Sequence, residues 1–516
     1  MRSHGRLGRR SVVLAVLSAV SVTAGGCMVG PNYARPAVEQ PGRFKSQADT
    51  EAAPALPTEW WRLYHEPELD QLIATANASN QSLRQAVARV DQARALARVA
   101  GSFLYPSLAV NPTYERLRSS GTRDSTVTGQ RVQRGVDVDD WLIPFDLTYE
   151  IDVWGRVRRS FESARAQAAA SADDVAVVQL TVQTDVARDY FLLRSLDEQA
   201  EILTDTVAAY REQVRVLSVQ LRNGLVSPVV VYQAQAQLEG TLSQLRDVGR
   251  ARADQEHALA ILCGRPAPSF AVAANPLHEA SPPAVPAGLP GQLLTRRPDV
   301  AEAEQVVVAA NAQIGVATAD FYPRFTLTSS AGFESANVET LFSWQSRVAS
   351  ILPSISFPIF EGGRLRASLA ATKAGYEQTV AAYVNQVLVA YGDVEDALTD
   401  LHALSDEVGT QRAAVAASQN YLRLALVQYR QGLVDYLTVI DAERTLLANQ
   451  LSLAQTVNLH MAASIHLIKA LGGGWDSASP SFALQRGVSP GSTADAPSAA
   501  PADARLGRRA RPAEGG

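Results

Sequence analysis

Sulfur is scarce in this sequence. The 516 residues include two cysteines and three methionines, and two of the methionines, Met1 and Met28, lie near the N-terminus. Two cysteines cannot form a disulfide framework, and three methionines cannot supply a thioether copper relay. The sequence therefore predicts no sulfur chemistry in the folded body.

Excess basic charge and catalytic motifs are also lacking. The chain has 47 Lys and Arg against 52 Asp and Glu, a net charge of −5, and removing the four arginines of residues 1–26 lowers it by four to −9. An acidic chain binds nucleic acid poorly, so no nucleic-acid partner is predicted. No Walker loop, dinucleotide fingerprint or GxSxG elbow occurs, and His460 and His466 miss the spacing of a helical zinc pair. We expect no enzymatic activity, no metal site and no cofactor-binding site.

Long apolar runs are missing as well. No stretch reaches 18 uninterrupted apolar residues, so the sequence predicts no transmembrane helix. Residues 11–22 form a short apolar run after four arginines, which is typical of a signal peptide. Residues 1–26 are therefore predicted to direct export and to be removed. If the body crosses a membrane, it must do so as a closed β-barrel, because only helices and barrels satisfy the backbone there.

The signal peptide ends at a cysteine. Residues 24–26, Ala-Gly-Gly, precede Cys27 and resemble a bacterial lipobox, so Cys27 is predicted to carry a covalent lipid such as palmitate. Met28 stands where inner-membrane lipoproteins usually carry aspartate, which by analogy favours the outer membrane of a Gram-negative bacterium. Two alternatives are ordinary cleavage that leaves Cys27 as a free thiol, and twin-arginine export.

The chain contains an internal duplication. Residues 219–226 read VQLRNGLV and residues 427–434 read VQYRQGLV, identical at six of eight positions and 208 residues apart. Other landmarks recur in the same order, among them Gly155 over Gly363. This spacing indicates a repeat near 200 residues. The predicted segments are 1–26 (signal peptide), 27–66 (lipidated tether), 67–265 (repeat 1), 266–297 (Pro-rich linker), 298–474 (repeat 2) and 475–516 (disordered tail).

Each repeat has the same predicted order of elements. In repeat 1 a helix spans about 70–100, two strands follow, and a proline-free helix over 155–222 ends at a turn, after which a helix returns to about Cys263. Repeat 2 places helices at 297–319, 363–430 and from the next turn to 471. A helix of nearly 70 residues is about 100 Å long, far more than a globular core requires.

The strands alternate strictly. From 145 to 153, apolar residues alternate with Asp146, Thr148, Glu150 and Asp152, and similar alternation covers 324–334 and 354–359. Alternation of this length is the pattern of a membrane-spanning β-strand, and aromatic residues near the segment ends mark the membrane interfaces. Asp146, Glu150 and Asp152 are predicted to face the lumen of a barrel. The alternative is a soluble sandwich with one solvated face.

Four strands cannot close a barrel, since the smallest bacterial barrels have about eight. The chain must therefore pool its strands with copies of itself, giving eight strands in a dimer or twelve in a trimer. The long helices continue from these strands, so pooling would also build a helical tube. The sequence predicts a conduit.

Several motifs occur in order along residues 27–474: Cys27 followed by Gly30-Pro31-Asn32-Tyr33, Trp60-Trp61 with Leu69 to Ile73, Leu293 to Val300, Ile314-Gly315 to Pro323, and the two turns. In these motifs the sequence resembles the outer membrane factor family, the TolC/OprM-like, NodT-type outer-membrane lipoproteins of tripartite efflux systems.

The resemblance implies a mainly α fold with membrane β-structure, in which a homotrimer forms a twelve-stranded β-barrel and an α-helical tunnel through the periplasm. It implies a channel that exports small molecules, with a periplasmic adaptor protein and an inner-membrane transporter of the RND class as partners. The alternative within this class is the exit duct of a type I protein secretion system. The rival hypotheses are a periplasmic adaptor and an exported coiled-coil scaffold. An adaptor would have one helical hairpin and no strands with an acidic face, and a scaffold would lack strands entirely.

The resemblance also implies a periplasmic gate formed by Leu437 and Asp441, with Arg444 as the ion-pair partner of Asp441. In repeat 1 the corresponding residues are Val229, Gln233 and Ala236, so the charged pair occurs in one repeat only. The alternative is an ordinary i,i+3 surface pair worth a few tenths of a kcal/mol.

The two turns are the predicted adaptor contacts. They comprise Gly224, Leu225, Val226 and Ser227 in repeat 1 and Gly432, Leu433, Val434 and Asp435 in repeat 2. Glycine permits the reversal, and apolar side chains at an exposed tip require a partner to cover them. A simple hairpin turn is the alternative, and it explains the glycine but not the repeated Leu-Val.

Overall fold

A computed structural model describes most of the mature chain. The described residues are 28–46, 56–118, 120, 125–127, 130–132, 137–278, 280–285, 288 and 290–475. The predicted signal peptide, the predicted lipid site Cys27 and residues 476–516 of the predicted tail lie outside them.

The described chain is mainly helical. Its helices are α1 (Pro67–Ser79), α2 (Gln81–Ser102), α3 (Arg156–Arg222), α4 (Pro228–Leu262), α5 (Pro298–Ala319), α6 (Arg364–Arg430) and α7 (Tyr436–Ala470), with a single helical turn over Leu293–Arg296. Short 3₁₀ turns lie at Trp60–Tyr64, Ala267–Ser269, Pro290–Gln292, Val338–Thr340 and Trp344–Ser346. The strands are β1 (Ser107–Val110), β2 (Thr113–Arg118), β3 (Ser125–Val127), β4 (Gln130–Val132), β5 (Asp137–Ile151), β6 (Arg324–Ser335) and β7 (Arg347–Ser356).

The two longest helices are alike in the two predicted repeats. Helices α3 and α6 each have 67 residues, and each follows a glycine in the left-handed region, Gly155 at φ 81° and Gly363 at φ 88°. Both lack proline, so the backbone hydrogen-bond ladder is not interrupted over about 100 Å. The return helices α4 and α7 each have 35 residues and therefore cover only about half of that length.

The helices form a single layer. In one half of its length the order is α2, α3, α5, α6, and in the other half it is α4, α3, α7, α6. Helices α3 and α6 thus run through both halves. Along the length of the layer, the short helix α4 is continued by α2, and α7 is continued by α5.

Two buried polar residues join the short helices end to end. The Asn80 Nδ2 donates to the Leu262 carbonyl at the end of α4, 2.8 Å away, while its Oδ1 accepts from Leu83 N in the first turn of α2. The Arg297 Nη1 donates to the Ala470 carbonyl at the end of α7, 3.1 Å away. Leu262 and Ala470 are 208 residues apart, so the same carbonyl is satisfied in both repeats by different chemistry.

The prediction of one helix over 70–100 was wrong in one respect, because the chain breaks at Asn80. Asn80 has ψ 129°, outside the helical region, and its side chain caps α2. Asparagine favours this position because its short side chain satisfies a free N–H group at the helix start. The cap separates α1 from α2.

The main sheet is antiparallel, and β5 and β6 are its central strands. Strand β5 pairs with β1 and β2 on one side and with β6 on the other, and β6 pairs with β7. The first strand is split between β1 and β2 at 111–112, and strands β3 and β4 form a separate small hairpin. Strand β7 ends at Ser356, earlier than the predicted alternation to 359, and Pro358 lacks the N–H that a continuing strand would donate.

The strand register separates an apolar face from a polar face. Paired residues on one face are Leu108 with Leu147, Val110 with Phe145, Tyr149 with Leu327, Ile151 with Phe325, and Phe325 with Ile355. The other face pairs Asp146 with Ser330, Thr148 with Thr328, Glu150 with Thr326 and Ser330 with Ser350. The predicted alternation is therefore confirmed across neighbouring strands.

No helix in the described ranges is both long enough and apolar enough to cross a membrane.

A glycine lies at the end of each repeat, and its substitution can test the end-to-end contacts between the short helices. Gly472 has φ 92°, and a Cβ there would lie 1.9 Å from the Arg296 carbonyl oxygen. We expect Gly472→Ala to destabilise the protein by roughly 1–3 kcal/mol or more, through left-handed strain and the clash. The measurement is the thermal unfolding midpoint by circular dichroism in detergent.

The matched control is Gly409→Ala, within α6, where a Cβ would meet no atom within 4 Å. That change should raise the midpoint slightly, because alanine inside a helix is more favourable than glycine by roughly 0.5–1 kcal/mol. Equal midpoints for the two variants would contradict the proposed packing of the joint.

Candidate functional site

The two predicted turns have the same backbone geometry. In repeat 1, Gly224 N donates to the Leu221 carbonyl and Leu225 N to the Gln220 carbonyl, both at 2.9 Å. In repeat 2, the corresponding bonds run from Gly432 N to Tyr429 and from Leu433 N to Gln428, again at 2.9 Å. Both glycines have φ 73°. This pair of bonds is the Schellman motif, which ends a helix on a left-handed residue and explains the glycine in both repeats.

Each turn ends at a side chain that caps the next helix. The Ser227 Oγ accepts from Val229 N at 3.3 Å, and the Asp435 Oδ1 accepts from Thr438 N at 3.1 Å. Serine and aspartate are both good caps because their oxygens satisfy free N–H groups in the first helical turn. The turns are therefore built alike although their capping residues differ.

Only one apolar residue of each turn is fully presented to solvent. Leu225 is 73% exposed and Leu433 is 69% exposed, whereas Val226 and Val434 are half-buried. Val226 packs against the core beneath the turns. The expectation of two uncovered apolar side chains per turn was therefore wrong for the valines, because the reversal directs Val226 back onto the helices.

A single apolar core holds the two helical hairpins together near their turns. We call it the tip core, and its buried members come from α3, α4, α6 and α7: Leu217, Val231, Ala234, Ala425, Tyr436, Val439 and Ala442. Since both hairpins contribute, moving one hairpin away from the other would expose this core to water. The tip core therefore favours packed hairpins.

The predicted gate residues lie on the solvent-exposed surface of α7, beside the tip core. Leu437 is 53% exposed, and Asp441 and Arg444 are exposed. The Asp441 Oδ2 accepts from the Tyr421 hydroxyl of α6 at 3.1 Å. Leu437 and Asp441 are one helical turn apart, so both lie on the same side of α7.

The predicted ion pair between Asp441 and Arg444 does not form in the described structure, where no nitrogen of Arg444 lies within 4.0 Å of that carboxylate. Asp441 reaches across to α6, whereas the charge of Arg444 acts on Tyr210 of α3. The sequence spacing allows an i,i+3 pair, but Asp441 instead accepts a hydrogen bond from Tyr421 on the neighbouring helix.

Asp441 and Arg444 also line a polar groove of about 680 Å³ between α4 and α7. The opposite wall includes Gln237, Gly240 and Gln244 of α4. The groove carries mixed polar groups and gives the predicted gate residues access to solvent.

Sequence reasoning missed a carboxylate next to these residues. Glu443 lies between α7 and α3, where its Oε1 accepts from the Gln213 Nε2 at 3.1 Å. Its Oε2 is buried and has no hydrogen-bond partner. Burial raises the pKa of Glu443 from its ordinary value of 4.5 to about 7. Comparison of the two repeats could have identified Glu443, since the corresponding residue in repeat 1 is the uncharged Gln235.

The three acids predicted to face a lumen lie at or near the end of β5. The register places Asp146 and Glu150 on the polar face of the sheet, and Asp152 follows the last residue of β5. Glu150 forms a two-point ion pair with Arg156, at 2.8 and 2.6 Å. Asp152 accepts from the backbone N–H groups of Val157 and Arg158, so it caps the first turn of α3.

The N-terminal segment runs along the layer from the sheet towards its middle. Val29 N donates to the Trp154 carbonyl at 3.1 Å, just after β5 ends. Tyr33 donates from its hydroxyl to Glu304 of α5 at 3.0 Å, and Phe44 is buried in a core that includes residues of α6 and α7. Val29, two residues after Cys27, is thus held at the junction of sheet and helices.

Comparison with known proteins identifies the family. The family model described as outer membrane efflux protein matches residues 72–265 and 289–473, more than half of the chain. The chain belongs to the outer membrane efflux protein family. This confirms the resemblance found in the sequence, and the family is one of transport proteins.

The chain aligns with named relatives over nearly their whole length. The toluene efflux pump outer membrane protein TtgF of Pseudomonas putida is 32% identical over 474 residues, covering 89% of this chain and 97% of that protein. The cation efflux system protein CusC of Escherichia coli is 30% identical over 462 residues, covering 88% and 97%. The solved outer-membrane channel OprN is 27% identical with a TM-score of 0.81, covering 87% of this chain and 100% of that structure. This protein is accordingly an outer-membrane efflux channel component.

One side-chain cluster of the efflux protein could hold a metal ion in the described residues. Glu198, Glu201 and His278 bring their ligand atoms within 4.8 Å of one another, and Glu201 and His278 are exposed. His278 already pairs with Glu198, 3.0 Å from its Nδ1. The sequence analysis did not find this cluster, because the linker brings His278 to α3 only in the folded chain.

The cap at the start of α3 makes a testable contribution to stability. We expect Asp152→Ala to lower stability by roughly 1–2 kcal/mol, because two backbone N–H groups lose their acceptor. The control is Asp146→Ala, since that carboxylate accepts only a 3.3 Å bond from Asn111 among the contacts described. Thermal unfolding in detergent compares the two, and a larger loss for Asp146→Ala would refute the capping role.

Proposed function

We propose that three copies of this chain form the outer-membrane channel of a tripartite efflux pump, which carries small molecules out of the periplasm. The observation that carries the proposal is that a single chain is an open layer. In the described residues, β1 and β2 pair only with β5, and β7 pairs only with β6, so both edges of the sheet are free.

The free edges support assembly with further copies. Unpaired strand edges are templates for pairing, and soluble proteins normally cover or shorten them. Here both edges carry large apolar residues that are more than half exposed: Leu108, Leu117, Ile351, Leu352 and Ile355. Three copies would contribute twelve long strands, enough to close a barrel, and the number three follows from the family resemblance.

The same closure would give the two faces of the sheet their roles. The apolar face would contact lipid, and the polar face, with Asp146 and Glu150, would line the lumen. The four-helix layers of three chains would close into a tunnel on the periplasmic side. The position of Val29 beside Trp154 supports a lipid on Cys27 that inserts near the inner boundary of the membrane.

The partners follow from the exposed turns at the far end of the helices. Leu225 and Leu433 are the most accessible apolar side chains there, and a periplasmic adaptor protein would cover them. An inner-membrane transporter of the RND class would complete the pump. Relatives are named for toluene and for cation efflux, so the family name specifies no single cargo, and we assign small molecules as the substrate class.

The number of subunits tests the assembly. Native mass spectrometry of the detergent-purified, full-length lipoprotein is expected to give particles of three subunits, and planar lipid bilayers containing it should conduct ions. Particles of one subunit, or the lack of conductance under every condition, would refute the proposal.

The gate can be tested in the same bilayers. We expect Asp441→Ala combined with Arg444→Ala to change the single-channel conductance and gating, because three-fold repetition would place these charges around the entrance through which ions pass. The matched control is Gln233→Ala at the position in repeat 1 that corresponds to Asp441, which should leave gating unchanged. If the double variant gates like the unaltered protein, Asp441 and Arg444 are surface residues only.

A further inference from the structure

The contact between Glu443 and Gln213 links the two hairpins directly. Gln213 lies on α3 in the first hairpin, Glu443 lies on α7 in the second, and their bond is 3.1 Å long. By contrast, the bond between Tyr421 and Asp441 joins two helices of the second hairpin. A movement of one hairpin relative to the other would therefore break the contact of Glu443 and leave that of Asp441 intact.

The surroundings of Glu443 favour its neutral form. No cation lies within 4.0 Å of its carboxylate in the part of the chain that the structure describes, and its Oε2 is buried without a partner. A protonated carboxyl still accepts the Gln213 bond and is otherwise compatible with the apolar tip core. An ionised one is a buried charge without a compensating partner, which is costly unless water reaches it.

We propose that Glu443 is a proton-sensitive lock between the hairpins, which holds them together when protonated and releases the second hairpin when ionised. This inference rests on the proposed function, and it adds that movement of the second hairpin away from the first opens the channel. It assigns to Glu443 a positioning role that the repeat-1 residue Gln235 cannot have, because an amide does not titrate.

The other groups that face Glu443 do not titrate near neutral pH. They are Tyr210 on α3, whose pKa is raised by burial, and Tyr436 on α7, whose pKa burial also raises. The ring of Tyr429 on α6 packs at an angle against the ring of Tyr436, and Gln237 of α4 donates a hydrogen bond to Tyr210. Arg444 is the nearest charged residue in the sequence, and its positive charge partly offsets the effect of burial on the pKa of Tyr210.

The direction of the pH effect follows from linkage. In the packed state the pKa of Glu443 is about 7, and after release into water it would return towards 4.5. Between these values the packed state binds the extra proton, so its population falls relative to the released state by up to about tenfold per pH unit as the pH rises. Above about pH 7 both states are ionised and the ratio levels off. Acidification therefore favours the closed channel.

The test is the open probability of the full-length lipoprotein in planar bilayers from pH 4.5 to 8. The unaltered protein is expected to open more with rising pH, by on the order of a hundredfold across the range if Glu443 alone controls it. Glu443→Gln should remain mostly closed at every pH, because the amide keeps the shape without the charge. Glu443→Asp should keep a pH dependence, since it retains a carboxylate.

A second buried carboxylate provides the matched control. Burial raises the pKa of Glu302 on α5 to about 7, with further increases from Asp174 and Asp173, but α5 lies in the half of the layer that does not contain the tip core. Glu302→Gln is expected to leave the pH dependence of opening unchanged. If Glu302→Gln abolishes the pH response and Glu443→Gln does not, the proposed lock at Glu443 is wrong.

The outcomes separate the two proposals. If channels form but their open probability does not change with pH, or if Glu443→Gln retains the full pH response, the lock is wrong and the efflux channel stands. If no channels form at any pH, the proposed function fails and the lock with it. Circular dichroism of each variant at pH 5 and pH 8 establishes that the helices are retained.

Discussion

A mismatch of helix lengths constrains the whole structure. Helices α3 and α6 have 67 residues each, and a returning helix of 35 residues leaves about half of each one uncovered. Helices α2 and α5 occupy the remaining length, which requires two helix ends to meet inside the layer. Asn80 and Arg297 each satisfy one helix-end carbonyl at these junctions, which offsets part of the cost of ending a helix inside the layer.

In the described residues, α1, the linker and the N-terminal segment cover only part of the layer, and the uncovered part accounts for its exposed apolar surface. A soluble domain buries a helical stripe or a sheet face against another element. In the proposed assembly, the partners would be membrane lipid, further copies of the chain and other proteins of the pump. Exposed residues such as Leu108, Ile351, Leu225 and Leu433 are therefore consistent with a protein that completes its fold by assembly.

The duplication is close in the backbone of the long helices and their turns, but the side chains differ near the tip. The two turns share the same hydrogen bonds and the same glycine conformation. On the helix that follows, however, Asp441, Glu443 and Arg444 replace uncharged residues of repeat 1. A charge that one hairpin carries alone can shift the position of that hairpin without weakening the other, so sequence divergence between the repeats coincides with the region proposed to move.

The sequence by itself determined the local features: the long helices, the two turns, and the alternation that gives the sheet one apolar and one polar face. These depend on residues close together along the chain, where periodicity, proline and glycine act directly. Only the tertiary structure decided that Asp441 meets Tyr421 rather than Arg444, that the chain breaks at Asn80, and that Glu443 meets Gln213, 230 residues away. The direction in which a helical side chain finds its partner depends on the packing of the neighbouring helices, which local spacing does not specify.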